Sequence, residues 1–246
     1  MKGYEIYSQL KVSPSNKVIL RLDGRGFHNL TNTLNLNKPY DEKFRDVMVN
    51  TAKQLLKEFQ PYFIYTFSDE LNILLKEVPF NARIEKLNSV FASYTSSVFQ
   101  KELLKIIPNP QDLPIVSFDS RIVPLTNEKI QVYFKNRQDE AWRNCINGHT
   151  YWLLRESMTK KEANNLINGL KSKDMHELMY NKKNINLSQL PNWQKRGIGI
   201  YKTLVEIEGF NPKKQVKTSS FRHKIKVDCE LPIFDNDFFK DKFNIN

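Results

Sequence analysis

Arg21-Leu22-Asp23-Gly24-Arg25-Gly26-Phe27-His28 and Phe67-Ser68-Asp69-Glu70 decide how this chain folds. Each places an acid at the end of an apolar, strand-like run. Val18-Ile19-Leu20 precedes the first and Phe63-Ile64-Tyr65 the second. A strand end with a purely structural job takes Asn, Gly or a lone Asp. Here a glycine-rich turn follows one acid, and an acid pair fills the other turn. If the two turns meet, they make a carboxylate pair suited to magnesium and a triphosphate.

The flanking pattern says that they meet. Residues 17–23 read as a first strand. Asp41 caps a helix predicted over 42–59, where Phe44, Val47, Met48, Ala52, Leu55, Leu56 and Phe59 recur at helical spacing and Pro61 ends the run. Strands follow at 62–67 and 71–76, joined by the short Ser68-Asp69-Glu70 turn as in a hairpin. Asn81 is the expected cap of a second helix with Leu87, Val90, Phe91, Tyr94 and Val98 on one face; Pro108 and Pro110 lie beyond its end. A fourth strand is expected over 115–123.

The order β-α-β-β-α-β is the ferredoxin-like unit, an α/β fold of the α+β kind. A right-handed crossover makes strands 1 and 2 parallel. Strand 3 lies between them in the usual form, antiparallel to both. Asp23 and Asp69 then converge at one edge of the sheet.

The second half is an extension on the same unit, dividing the chain into 1–125 and 126–246. Residues 126–157 read as mostly helical, with a break expected near Arg137. Thr159-Lys160-Lys161-Glu162 fits a capping box before another helix, and Ser172 is placed to cap a shorter one. After Pro191, residues 197–208 and 221–229 alternate like the strands of a hairpin.

Composition narrows the function. The 246 residues are 40% apolar and 12% aromatic, which excludes disorder. The sequence holds no apolar run of transmembrane length, and its first residues lack the apolar core of a signal peptide. Cys145 and Cys229 are the only cysteines. They form neither a disulfide framework nor a zinc motif, as expected of a cytoplasmic protein. Lys and Arg number 38 against 27 Asp and Glu, a net charge of +11. A pI near 9.5 fits a polyanionic partner. An AT-rich genome that inflates Lys and Asn is the competing explanation.

Asp23 and Asp69 are the expected metal ligands, and the Gly24 carbonyl adds a third. Glu70 either binds the metal or holds the site from behind. Gly24, Arg25, Gly26, Phe27 and His28 resemble a phosphate-cradling turn with amides aimed at an anion. Ser68 and Lys38 reach the same corner as a donor and a point charge. Arg137 and Arg143 face either RNA or solvent. Lys195, Arg196 and the hairpin cations Lys213, Lys214, Lys217, Arg222 and Lys224 offer a surface for phosphates.

These motifs together resemble the tRNA-histidine guanylyltransferase superfamily, the templated 3′-to-5′ nucleotide-adding enzymes. The resemblance runs over roughly residues 15–200. It continues through Phe91-Ala92-Ser93-Tyr94, Phe118-Asp119-Ser120-Arg121, Arg137-Gln138, and Leu190-Pro191 with Lys195-Arg196-Gly197. It implies a polymerase-like palm that binds two magnesium ions through Asp23, Gly24 and Asp69. It also implies ATP and GTP or other nucleoside triphosphates as substrates, tRNA as the partner, and a homotetramer.

The eukaryotic branch carries His-Ile-Asn-Asn-Leu-Tyr-Asn after its Arg-Gln. This chain has Trp142-Arg143-Asn144-Cys145-Ile146-Asn147-Gly148. The departure favours the like-protein branch, which repairs 5′-truncated tRNA on a template, over untemplated G addition to tRNA-His. A nucleotidyl cyclase using the same carboxylates and a non-catalytic RNA-binding protein with a palm fold remain alternatives. Clustered acids are costly without a cation, which argues against the last.

Overall fold

The computed structural model describes residues 2–14, 16–107, 113–211 and 215–245. Six strands form one sheet: β1 (Lys17–Gly24), β2 (Phe63–Phe67), β3 (Glu70–Leu74), β4 (Phe118–Leu125), β5 (Ile198–Asn211) and β6 (Val216–Asp228). Their order is β4-β1-β3-β2-β5-β6, with every neighbouring pair antiparallel. Strand β3 lies between β1 and β2, as the element order requires. The ribbon β5–β6 continues the same sheet beyond β2.

The centre of the sheet is covered on both faces, so β2 and β3 are buried at every position, while the edge strand β4 keeps exposed positions. One core packs Val18, Leu20 and Leu22 of β1 against α2 (Glu42–Phe59) and α3 (Ile84–Leu103). On the opposite face Ile19, Phe63 and Tyr65 meet Ile130 and Phe134 of α4 (Asn127–Arg155) and Phe238, Phe239 and Phe243 of α8 (Asn236–Phe243). A third cluster joins Ile146 and Leu153 of α4 to Met175 and Met179 of α6 (Ser172–Lys183). The Thr159 capping box is formed at the start of α5 (Lys160–Gly169).

Several boundaries differ from the sequence reading. Helix α3 starts at Ile84 with Arg83 as its N-cap, not at Asn81. The N-terminal segment causes this: Val12 N–H donates to the Ala82 carbonyl at 2.9 Å and Ile84 N–H to the Leu10 carbonyl at 2.9 Å. Asn81 is left at φ 54° in a short 3-10 turn.

Strand β4 begins three residues late, at Phe118. Helix α4 runs unbroken through Arg137, because Phe134, Gln138 and Ala141 bury its face on either side. Lys171, not Ser172, is the N-cap of α6, and its N–H donates to Asp174 at 3.0 Å. The short helices α1 (Phe27–Thr33) and α7 (Asn192–Arg196), and α8, lie where the sequence reading placed no helix. No helix among the described residues is long and apolar enough to cross a membrane.

Candidate active site

The two acidic turns meet. Asp23 lies opposite Glu70 in the β1–β3 register, and Gly24 N–H donates to the Asp69 carbonyl at 3.2 Å. Only glycine fits at position 24, because an added Cβ would lie 2.7 Å from the Phe27 ring. Gly26 adopts φ 71° to start α1. In the second turn Ser68 sits at φ 50°, and its hydroxyl donates to Asp69 Oδ1 at 3.1 Å. Burial, with the charge of Asp23 beside it, raises the Asp69 carboxyl to about 6.

Asp69 opens on a cavity of about 420 Å³, lined also by His28, Lys38, Tyr40, Ser68, Trp152 and Trp193. The Lys38 ammonium donates to Thr31 Oγ1 at 2.5 Å and lies 6.0 Å from the centre of the Trp152 ring. Burial lowers its pKa, with Asp41 opposing. Also on the lining, Tyr40 packs edge-on to Trp193 at 5.7 Å, and the Arg45 guanidinium lies 5.0 Å over Trp193. His149 is hydrogen-bonded to Gln194 at 2.9 Å. Cationic and hydroxyl side chains thus share the cavity lining with aromatic rings. That mixture suits a nucleotide.

The sequence reading missed this aromatic rim. It gave Tyr40, Trp152 and Trp193 no part in the site. The available signal was adjacency: Tyr40 follows Lys38-Pro39, and Trp193 stands between Leu190-Pro191 and Lys195-Arg196.

Not all the expected residues gather here. Phe27 is a core residue, 4% exposed and packed among Phe44, Phe99 and Phe118, with part of its ring on the cavity. Arg25 and Gly26 line a separate hollow bounded by residues 114–117. Glu70 is buried, and its carboxylate accepts from Arg137 Nε at 2.8 Å and Nη2 at 2.9 Å. Arg137 therefore presents its guanidinium to Glu70 from a half-buried position, not to open solvent.

Arg196 donates to the Leu231 carbonyl, Lys195 to the Ser188 carbonyl, and Arg143 pairs with Glu140. Lys217, Arg222 and Lys224 are exposed on β6. Lys213 and Lys214 lie outside the described residues.

No group of three or more His, Cys, Asp or Glu among the described residues could hold a metal. Two carboxylates and a glycine carbonyl do not make an all-protein cage. They do match a hard cation such as magnesium, which keeps most of its waters and shares phosphate oxygens.

The family model described as tRNAHis guanylyltransferase (Thg1) matches residues 1–126, and that of the Thg1 C terminal domain matches residues 128–234. The chain belongs to the tRNAHis guanylyltransferase family. It is therefore a nucleotidyltransferase. It is 30% identical to the tRNA(His) guanylyltransferase of Debaryomyces hansenii, over 93% of this chain and 91% of the relative.

Its fold matches a bacterial tRNA(His) guanylyltransferase (Thg1)-like protein in complex with ATP. The TM-score is 0.79 at 28% identity, covering 100% of this chain and 97% of the other. A bacterial Thg1-like protein in complex with GTP matches with a TM-score of 0.71 at 28% identity, covering 97% and 93%. The sheet is thus the palm of this family.

Proposed function

We propose that the protein adds nucleotides in the 3′-to-5′ direction to the 5′ end of tRNA, in a magnesium-dependent, template-directed repair of truncated ends. The observation that carries this reading is the meeting of the Asp23 and Asp69 turns beside a cavity lined by cationic and aromatic side chains. Structural neighbours that hold ATP and GTP support a nucleotide in that cavity. The net charge of +11 supports an RNA partner.

Asp23, Asp69 and the Gly24 carbonyl would hold the magnesium. Bound there, it would lower the pKa of an attacking hydroxyl and neutralise charge on phosphate. The residues of the chain supply the rest. Lys38 would place a point charge near the phosphates, and Ser68 offers a donor beside Asp69. Tyr40, Trp152 and Trp193 give a base apolar surface. In this reading the nucleotide's 3′-hydroxyl would face the 5′ end of the RNA. Attack on that activated 5′ phosphate, made with ATP or already a 5′-triphosphate, expels AMP or pyrophosphate.

Trp142 supports template-directed repair. It stands where the eukaryotic branch carries histidine, and it packs into the α4–α6 cluster 5.7 Å from His176. The names of the relatives favour a second reading, G addition to tRNA-His.

The test uses 5′-labelled tRNA lacking its first nucleotide, magnesium, ATP and each nucleoside triphosphate in turn, with Asp69→Ala beside the wild type. Addition only of the nucleotide that pairs with the template, lost in the variant, is expected. Addition of G to tRNA-His alone, whatever the opposing base, would establish the second reading. No addition to any tRNA, with RNA binding intact, would leave a binding protein.

A further inference from the structure

Helix α4 grips the Asp69 turn from both sides. Glu70 is 7% exposed, and Arg137 forms two parallel hydrogen bonds to its carboxylate, at 2.8 and 2.9 Å. Asn72 Nδ2 donates to the same Oε1 at 2.8 Å, and Tyr133 of α4 donates to Asn72 Oδ1 at 2.6 Å. The Arg137 guanidinium also lies 5.5 Å over the Phe67 ring. One side chain therefore touches the residue before Ser68-Asp69 and the residue after it. Thr66 Oγ1 closes the same turn by donating to the Glu70 carbonyl at 2.8 Å.

Three of the roughly four acceptor positions on the Glu70 carboxylate are used by protein donors. Little of it remains for a cation. The turn it anchors holds Ser68 at φ 50°, a conformation that needs support from its surroundings.

We propose that Arg137 is a positioning residue. Through Glu70 it fixes the turn that aims Asp69 at Asp23, and the Glu70 carboxylate serves this clamp instead of binding metal. The inference rests on the metal site proposed above. A two-point guanidinium grip sets the angle of the turn as well as its position, which an ammonium cannot do.

The experiment measures Mn²⁺ affinity of the folded full-length protein by electron paramagnetic resonance, for wild type, Arg137→Gln, Glu70→Gln and the double variant. Stability falls in Arg137→Gln under either a positioning or a merely structural role, so stability does not decide. Partners behind metal ligands typically change affinity about 10–100-fold. Arg137→Gln is expected to weaken Mn²⁺ binding by that factor, with the double variant no worse than either single one.

Wild-type affinity in folded Arg137→Gln would overturn the positioning role alone. Additive losses, with Glu70→Gln the larger, would make Glu70 a ligand and overturn the clamp. Absence of Mn²⁺ binding in the wild type would overturn the metal site and the clamp together. If Arg137→Gln does not fold, Arg137→Lys decides: at least about a threefold weakening supports the two-point grip, and a wild-type constant overturns it.

Discussion

Asp69→Asn should make the metal-free protein more stable while removing its chemistry. Asp69 is half-buried beside Asp23, and its carboxyl is raised from the 3.8 of an unperturbed aspartate to about 6. The folded state therefore holds this proton more tightly than the unfolded chain does. Ionising Asp69 costs the fold nothing below pH 3.8, progressively more up to about 6, and the full penalty above that. At about 1.4 kcal/mol per pKa unit the shift corresponds to about 3 kcal/mol. Solvent reaching the half-buried carboxylate lowers this to about 1–2 kcal/mol.

Asparagine keeps the acceptor that Ser68 uses and removes the charge. The assay is urea unfolding in EDTA at pH 8 and at pH 4.5. The variant should gain about 1–2 kcal/mol at pH 8 and much less at pH 4.5. Saturating Mg²⁺ should reverse the order at pH 8, because a cation that binds only the folded wild type stabilises it by mass action. A variant that is less stable than wild type in EDTA at pH 8 would refute the reasoning.

Other substitutions probe the fold and the cavity. Gly197→Ala puts a Cβ 2.6 Å from the Tyr65 ring at φ 73°, and should cost more than about 2 kcal/mol in urea unfolding. Phe63→Ala removes a ring with six aromatic neighbours at 5.3–5.9 Å. It should cost about 3–5 kcal/mol and speed hydrogen exchange in α8. Lys38→Ala should weaken nucleotide binding about 10-fold or more, read by quenching of Trp fluorescence, since a charge-assisted hydrogen bond is lost. Arg222→Glu combined with Lys224→Glu should weaken tRNA binding and reduce its salt slope by about 2.

The sheet and the convergence of Asp23 with Asp69 were legible because each rests on local signals. The apolar face of α2, the Asp41 cap and the glycine-and-acid turns all act within a few residues, and chain topology does the rest. Helix α8 was legible in principle: Asp235 caps it by accepting from Phe238 N–H, and Phe239 and Phe243 share its buried face. The charged residues between those rings hid the pattern. The Glu70–Arg137 pair gave no such signal. A lone arginine on a polar helix looks like surface until the sheet brings a buried carboxylate against it, 67 positions away.

This division bears on which substitutions disable the enzyme. A buried guanidinium–carboxylate pair adds little net stability compared with apolar packing, yet breaking it is costly. Its value here would lie in geometry, because a turn held at two points aims its acid in one direction. In the proposed reading the acidic and glycine turns hold the nucleotide and the cation, while Arg137 on α4 sets the angle at which they converge. Arg137 variants that leave both acidic turns intact are therefore expected to lose much of the activity, by weakened metal binding rather than by loss of a ligand.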